Sequence, residues 1–381
     1  IIADGDFPAF KIGTGDGTFG DVRYCRIANL GIHGKKPTSL YPPYGYADDV
    51  YTSQPAIAIY AGERIELERL LITRKEYGIR ANISSGKECP GIWVKECRCD
   101  YNLNGVYLEK GGGVLAYVLV HKLWNYLNQR VGLRILANYF TRIVDAVLEA
   151  DGWNTPDNTG AIVDLAGGGN IRIDRMHVNG SKAGGLSPCK ALLNLTLDDG
   201  ANVNISDLVL QSGQYYGLWI WGGAGSYPVR VNIDKFVIGK TRDAGFMGDP
   251  GDINDWGIRI EPTSGIVKLS NGLIESAYGI YLSGVEYSIE NVTIKGKWSN
   301  REGIATFSGD GSTKTFQIEH GVAPGYSDWC NVPLKYEVVP LTPDADAPRT
   351  VTADGTYITI TFESAPPSGT DNIKFAWRAW I

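Results

Sequence analysis

A glycine followed by an apolar residue, any residue and a second apolar residue recurs along most of this 381-residue chain. The copies begin at Gly78, Gly105, Gly132, Gly160, Gly217, Gly257, Gly279 and Gly303. The steps between them are 27, 27, 28, 57, 40, 22 and 24 residues, and the step of 57 holds a copy in which Ala191-Leu192-Leu193 replaces the glycine. A period in the twenties without helical periodicity predicts a β-solenoid, in which each coil buries its apolar side against the next coil.

A second pattern lies between the glycine strands and reads apolar, two polar residues, apolar, any residue, apolar. Its copies begin at Ile27, Leu67, Val94, Ile143, Ile173, Ile205, Ile233, Leu269 and Ile289, with a weak copy at Val120 that fails at Asn125. The second polar position is often Asn or Asp, which tolerate the left-handed backbone of a sharp bend. Each coil is therefore predicted to hold a glycine strand, a turn, a second strand, a bend and a third strand. The alternative, an antiparallel β-sandwich with coincidental spacing, does not account for ten near-copies in register.

Charge and composition disfavour several classes of function. The net charge is −6 and the chain has no basic tract, which argues against nucleic-acid binding through phosphate contacts. No apolar run is long enough to span a membrane, so no membrane partner is expected. Cys97 and Cys99 stand at apolar positions of the second pattern, where free cysteines act as small hydrophobes. No metal and no cofactor is predicted.

The patterns divide the chain into three parts. Residues 1–24 are predicted to cap the solenoid or lead into it, and residues 25–304 to form a parallel β-helix. Two stretches, 35–56 and 239–256, lengthen their coils and are predicted to be loops. Residues 305–381 lose the repeat and show alternating strands separated by Pro, Gly and Asp, which predicts a small antiparallel β-sandwich.

The C-terminal part carries a family likeness. The stretch Asp310-Gly-Ser-Thr-Lys-Thr-Phe-Gln-Ile-Glu-His320, with the strand at 356–362, the Pro366-Pro367 pair, 369–373 and Phe375-Ala-Trp377, resembles the closing module of bacteriophage tailspike depolymerases. The resemblance implies a right-handed parallel β-helix of the pectin-lyase-like type, all-β throughout. It also implies a homotrimer on the phage virion, outside the cell, that binds and depolymerises bacterial capsular polysaccharide or O-antigen. Since the chain starts at Ile1 rather than Met, we expect a region upstream that anchors it to the virion tail. No short catalytic motif of the family is present.

The outward positions of the glycine strands point to a polysaccharide site. One predicted row is Arg80, Tyr107, Arg134, Ile162, Trp219, Arg259 and Tyr281, and the next is Asn82, Glu109, Leu136, Asp164, Trp221, Glu261 and Ser283. Tyr and Trp faces stack on sugar rings, and Arg bonds to hydroxyl and acidic groups. The predicted substrate-binding residues are Trp219, Trp221, Arg259, Tyr281, Tyr107 and Arg134. The alternative is that this face packs against a sister chain.

Glycosidic hydrolysis usually needs two carboxyl groups, roughly 5 Å apart for retention and about 6.5–9.5 Å apart for inversion. Coils of a solenoid are about 4.8 Å apart, so carboxylates one or two coils apart fit. Glu261, one coil beyond Trp219 and Trp221, is the predicted acid, with Asp243 or Asp255 as its partner. Asp164, about two coils from those tryptophans in the other direction, is the second choice. The stretch Asp249–Asp255 also suggests a calcium loop, but it lacks the full ligand spacing.

Three alternatives to hydrolysis remain open. A polysaccharide lyase would use Tyr281 beside Arg259, or His177 near Asp174, on a uronic-acid substrate. A non-catalytic receptor-binding spike would have the same fold and release no products. A cellular β-helix enzyme related to pectinases would carry a secretion signal upstream instead of a virion anchor.

Overall fold

A computed structural model of the chain describes most of its residues. They are 8–13, 22–34, 54–128, 130–149, 161–167, 169–182, 185–186, 191–211, 216–223, 227–239, 256–262, 264–276, 279–283, 285–295, 300–322, 335–354 and 356–380. The two predicted loops, 35–56 and 239–256, lie almost entirely outside these ranges. None of the described segments forms a helix that is both long and apolar enough to cross a membrane.

Twenty-three strands make up the first part of the described chain. In order they are β1 (Phe10–Ile12), β2 (Tyr24–His33), β3 (Ile57–Ile59), β4 (Arg64–Thr73), β5 (Tyr77–Asn82), β6 (Glu88–Lys95), β7 (Arg98–Asp100), β8 (Asn104–Glu109), β9 (Val114–Tyr126), β10 (Leu133–Leu136), β11 (Phe140–Glu149), β12 (Ala161–Gly167), β13 (Asn170–Asn179), β14 (Ser181–Lys182), β15 (Gly185–Leu186), β16 (Ala191–Leu197), β17 (Asn202–Gln211), β18 (Tyr216–Gly222), β19 (Val229–Ile238), β20 (Trp256–Pro262), β21 (Gly265–Glu275), β22 (Ile280–Leu282) and β23 (Glu286–Lys295).

Two long sheets hold these strands, apart from the small hairpin β14-β15. Sheet I has the order β1-β3-β5-β8-β10-β12-β16-β18-β20-β22, and sheet II has the order β2-β4-β6-β9-β11-β13-β17-β19-β21-β23, with β7 beside β4 and β9. Neighbouring strands in both sheets are parallel, and the chain visits the two sheets alternately. This winding is a parallel β-helix, so the predicted fold class is confirmed; its right-handedness stays a prediction.

The predicted bend is present in every coil of sheet II. The second polar position of each copy has φ between 52° and 61°, at Asn29, Arg69, Glu96, Lys122, Asp145, Arg175, Asp207, Lys235, Asn271 and Asn291. The copy at Val120 is therefore complete, because it bends at Lys122. Its irregular Asn125 is buried, and the side-chain amide donates a hydrogen bond to the carbonyl of Gly132. Half of the bend residues are neither Asn nor Asp, so the coil geometry imposes the left-handed backbone on other residue types.

Glycine in sheet I lets successive coils approach closely. A Cβ added to Gly105 would lie 2.4 Å from the carbonyl oxygen of Gly132 in the next coil. The prediction that Gly160 belongs to this column is wrong. Val163 pairs with Leu133, which puts the buried Ile162 in the glycine position. A shift of two residues keeps the inward and outward alternation of a strand, so the pattern alone could not detect the error.

The solenoid begins and ends differently from the prediction. Strand β1 already pairs with β3 in sheet I, although residues 1–24 were expected to cap or lead into the coils. The last strand of sheet II, β23, ends at Lys295. The prediction that Gly303 starts a further coil is wrong, because Gly303 lies opposite Trp377 in an antiparallel pair.

The C-terminal residues form two antiparallel sheets. Their strands are β24 (Asn300–Gly309), β25 (Thr315–Glu319), β26 (Lys335–Pro340), β27 (Arg349–Ala353), β28 (Tyr357–Phe362) and β29 (Gly369–Trp380). The sheets have the orders β24-β29-β26 and β25-β28-β27. Phe316 and Phe362 from one sheet share a buried cluster with Phe375 from the other, so the two sheets pack as a sandwich.

The solenoid core is aliphatic, with cysteines at a few inward positions. Cys97 and Cys99 are buried free thiols, as predicted. Burial raises the pKa of Cys97 to about 11 and that of Cys89 to about 12, so both remain neutral at physiological pH. These thiols take the place of apolar side chains in the core.

Candidate functional site

The outward residues of sheet I form two rows along the solenoid. In the observed register the first is Arg80, Tyr107, Arg134, Asp164, Asn194, Trp219, Arg259 and Tyr281, and the second is Asn82, Glu109, Leu136, Ala166, Thr196, Trp221 and Glu261. All six predicted binding residues therefore lie on one face. Asp164 moves to the first row, where Ile162 was expected, because this coil is shifted by two residues.

Two indole rings stack on β18, and a tyrosine ring from the start of the same strand lies tilted beside them. The ring centroids of Trp219 and Trp221 are 5.4 Å apart with an interplanar angle of 19°, and Tyr216 lies 5.5 Å from Trp219. The Trp219 indole donates to Glu261 at 2.9 Å, and the Trp221 indole donates to Asn194 at 3.0 Å. These bonds fix both indoles, while Trp221 remains 40% exposed. The stack is thus an ordered aromatic platform that solvent can reach.

Glu261 lies beside the platform and is held from two sides. Besides the Trp219 indole, it accepts a hydrogen bond from Arg259 at 2.7 Å. Arg259 also donates to the Tyr216 hydroxyl at 3.0 Å, and its guanidinium carbon is 5.0 Å from the Tyr281 ring centroid. Burial raises the pKa of Tyr216, so its hydroxyl stays neutral and accepts the bond. Burial alone would lower the pKa of Arg259, but the bond to Glu261 and nearby charges raise it.

A second group of charges lies on the same face, around Arg134. Its guanidinium contacts Glu109 at 3.1 Å and Asp164 at 3.2 Å. Asn194 donates to the other oxygen of Asp164 at 2.8 Å. Burial raises the pKa of the neighbouring Tyr107 to about 12, and the Arg134 guanidinium lies 5.1 Å from that ring centroid. We call Glu109, Arg134 and Asp164 the arginine cluster.

Asn194 joins the arginine cluster to the aromatic platform. Its amide donates to Asp164 and its carbonyl oxygen accepts from Trp221, so polar and aromatic contacts run continuously from β8 to β20. Sequence reasoning missed Asn194, Tyr216 and the role of Glu109. Asn194 lies in the coil without a glycine, and Tyr216 precedes the glycine of its coil. The available signal was the alignment of the Ala191 coil with its neighbours, which places Asn194 in the first row.

The predicted carboxylate pairs fare differently. Asp243 and Asp255, the first choices as partners of Glu261, lie outside the described residues. Asp164 lies two strands before Trp219 and Trp221, as expected, and therefore three strands from Glu261, about 14 Å at the usual strand spacing. This separation exceeds the spacing of about 6.5–9.5 Å in inverting glycosidases, so the structure does not bring Asp164 and Glu261 together as a catalytic pair. Asp164 and Glu109 flank one guanidinium, which is compatible with the spacing of about 6.5–9.5 Å in inverting glycosidases.

The two predicted lyase pairs also differ. Tyr281 and Arg259 do come together in the structure. His177 and Asp174 do not, because the chain bends at Arg175 between them. The His177 ring contacts Gln211 at 3.4 Å, while Asp174 accepts hydrogen bonds from its own face of the sheet. In the described ranges no three His, Cys, Asp or Glu side chains gather in a way that would hold a metal ion.

No protein-family model matches this chain, and no curated protein does. The fold and the face together define a parallel β-helix with an aromatic platform, flanking carboxylates and arginines along one sheet.

Proposed function

We propose that this protein binds a polysaccharide along the outward face of sheet I. The observation that carries the proposal is the Tyr216–Trp219–Trp221 platform with Glu261 at one side and the arginine cluster at the other. Aromatic faces stack on sugar rings, and carboxylate, amide and guanidinium groups bond to hydroxyls. The network from β8 to β20 crosses six strands, about 24 Å, which is long enough for several sugar units.

The proposed biological setting is a bacteriophage tailspike. A parallel β-helix followed by an antiparallel sandwich is the arrangement that the resemblance of residues 310–377 implies. In this proposal the chain is a homotrimer on the virion, attached through an N-terminal region, and its ligand is a bacterial surface polysaccharide. Sedimentation equilibrium tests the assembly, since a mass equal to one chain would contradict the trimer.

Binding is tested against purified capsular and O-antigen polysaccharides from a panel of bacteria. We expect the full chain to bind at least one of them, and Trp221→Ala to weaken binding about tenfold by removing the exposed end of the platform. Trp124→Ala is the matched control, because Trp124 is 59% exposed on sheet II. The proposal is contradicted if no polysaccharide of the panel binds, or if Trp124→Ala weakens binding as much as Trp221→Ala.

Cleavage by hydrolysis is the second candidate function, and the arginine cluster favours it. Glu109 and Asp164 offer two carboxylates on strands two steps apart, with the Arg134 guanidinium between them, and paired carboxyl groups are what glycosidic hydrolysis uses. We expect new reducing ends from a bound polysaccharide, with the rate lowered about 1,000-fold or more in Asp164→Asn. Asp174→Asn on sheet II is the matched control. Full activity in Asp164→Asn with loss in Glu261→Gln would instead support Glu261 with Asp243 or Asp255.

The products separate the remaining alternatives. Unsaturated sugar ends would identify a lyase. Tyr281 and Arg259, which lie together on this face, would then be the candidate catalytic pair. Binding without any product would identify a non-catalytic receptor-binding spike.

A further inference from the structure

A second candidate site lies on sheet II, near the start of the solenoid. The outward face of β4, β6, β9 and β11 forms an open cleft of about 410 Å³. Its walls include Arg64, Trp93, Tyr117, Phe140 and Arg142. None of these residues belongs to the face of sheet I, and the sequence patterns did not single them out.

Trp93 holds two cations at the cleft. The Arg64 guanidinium carbon lies 3.9 Å from the Trp93 ring centroid, and the Lys95 ammonium lies 4.6 Å from it. Cation–π contacts of this kind fix charged groups without neutralising them. Trp93 thus differs from Trp219 and Trp221, which stack on each other.

Glu66 forms ion pairs with the same two cations. Its side chain is only 8% exposed, and it contacts Arg64 at 2.8 Å and Lys95 at 3.8 Å. The Arg64 side chain is 50% exposed and that of Arg142 is 43% exposed. The negative charge is therefore buried, while the positive groups face the solvent.

The cations outnumber the carboxylates in the lining of the cleft itself. Arg64 and Arg142 line it, against Glu63. Over the whole stretch before the bend from β2 to β13 the charges balance, because Glu88 and Glu63 join Glu66, Glu68 and Asp174 against Arg26, Arg64, Lys95, Arg142 and Arg172. The positive excess is therefore local to the cleft, on a chain whose net charge is −6.

Arg142 and Tyr117 are placed to receive a ligand. The Arg142 side chain is 43% exposed, and its contact with Asp174 is long at 3.5 Å. Tyr117 is 54% exposed, and its ring centroid lies 6.3 Å from that of Phe140. A solvent-exposed aromatic ring beside a solvent-exposed guanidinium suits a ligand that contains a sugar ring and carries a negative charge.

We infer that this cleft binds an acidic saccharide, with the sugar ring on Tyr117 and the carboxylate on Arg64 and Arg142. The site is separate from the face of sheet I and does not depend on the function proposed there. Its ligand class follows from the exposed cations and the open ring together. A neutral sugar could stack on the ring but would form no ion pair with the exposed guanidinium groups.

Isothermal titration of the full chain tests this site with hexasaccharides. The acidic probes are a hexamer alternating glucuronate with N-acetylglucosamine and a galacturonate hexamer; the neutral probe is an N-acetylglucosamine hexamer. We expect at least one acidic probe to bind and the neutral one to bind about tenfold more weakly. Binding is expected to weaken between about 50 mM and 500 mM salt, since exposed charges are screened.

Variants locate the binding. Arg142→Gln and Tyr117→Ala are each expected to lower the affinity about tenfold, and Trp221→Ala tests whether the probe binds on sheet I instead. Tyr227→Ala, at a residue 70% exposed, is the control for loss of a surface ring. The inference fails if neither acidic probe binds, if the neutral probe binds equally, or if only Trp221→Ala weakens binding. It also fails if Tyr117→Ala changes the sedimentation mass and no probe binds, which would make the cleft a contact between copies.

Discussion

Sheet I and sheet II belong to the same coils, yet the chain turns differently in each. Sheet I strands pack closely through glycines such as Gly105, whose added Cβ would strike the next coil. Sheet II strands bend at a left-handed residue such as Lys235, with φ of 53°. The coil is thus set by two separate devices, the close approach at glycines in sheet I and the left-handed bend residue in sheet II. The other outward positions take no part in this and can differ from face to face.

The outward chemistry of the two sheets differs accordingly. On sheet I, Trp219 and Trp221 stack on each other and their indoles orient Glu261 and Asn194. On sheet II, Trp93 instead holds Arg64 and Lys95. The same residue type has a different role on each sheet because the adjacent coils place different side chains beside it. The comparison teaches that a tryptophan in a solenoid must be interpreted from the strands beside it.

The largest expected effect is at the glycine column of sheet I. Gly105→Val should lower the free energy of unfolding by at least about 3 kcal/mol, because its side chain meets the backbone of Gly132 in the adjoining coil. Urea denaturation followed by circular dichroism measures this. Gly91→Ala on sheet II is the control: its added Cβ would have its nearest neighbour at 3.6 Å, and a change within about 0.5 kcal/mol is expected. Equal losses in both variants would remove the distinction between the sheets.

Next is the buried carboxylate of sheet II. Glu66→Gln should cost about 1–3 kcal/mol at pH 7, because Arg64 and Tyr24 lose a charged acceptor. Burial by itself raises the pKa of Glu66, but hydrogen bonds from Arg64 and Tyr24 and the charge of Lys95 outweigh it and lower the pKa. The stabilisation is therefore present above the ordinary pKa of about 4.3 and is lost as the pH falls through the lower folded value.

Thermal unfolding of wild type and Glu66→Gln at pH 7 and pH 3 checks this sign. The difference between them should shrink at the lower pH. Glu290→Gln, at a carboxylate 57% exposed on β23, is the control and should be nearly neutral at both. A difference that stays constant with pH would show that the charge of Glu66 contributes nothing.

A smaller effect is expected at the bend of sheet II. Lys235→Val should destabilise the fold by about 1–2 kcal/mol, since a β-branched residue disfavours the left-handed backbone. Lys235→Asn should stay within about 0.5 kcal/mol, because Asn adopts this conformation more readily. Urea denaturation compares the two. Indistinguishable variants would mean that the bend is not strained.

The smallest effect is expected at the platform of sheet I. Tyr216→Phe removes the hydroxyl that accepts from Arg259 but keeps the ring beside Trp219, so a loss of about 1 kcal/mol is expected. Polysaccharide affinity should fall only a few-fold, because the platform remains. Tyr227→Phe is the control, at an exposed tyrosine. If Tyr216→Phe lowered polysaccharide affinity as much as Trp221→Ala, the Arg259–Tyr216 hydrogen bond would matter as much for binding as the indole rings.

Much of the fold could be predicted because the inward pattern repeats. Ten bends fall at the positions that the second pattern marks, including Lys122, where the pattern looked weak. Errors arose where a neighbouring residue pair imitates the repeat. Gly160 satisfies the alternation two residues early, and Gly303 satisfies it in a strand that pairs with β29 instead.

The candidate site was less predictable, because it depends on which side chains meet across strands. The sequence marked Trp219, Trp221, Arg259 and Glu261 as outward on neighbouring strands. It could not show that Asn194 bridges Asp164 to Trp221, since the strand register decides that contact. The cleft on sheet II escaped notice because Arg64, Trp93 and Tyr117 lie before the first apolar position of the second pattern in their coils.

By itself, then, the sequence determined that the chain coils and where each coil bends, because burial of apolar side chains at regular intervals requires a solenoid. Only the tertiary structure decided how the coils align, because a two-residue shift leaves the in–out alternation unchanged. That alignment puts Glu109 and Asp164 around Arg134 and separates Asp164 from Glu261. It also surrounds Trp93 with cations and leaves Trp221 open, which the spacing of residues along one strand cannot express.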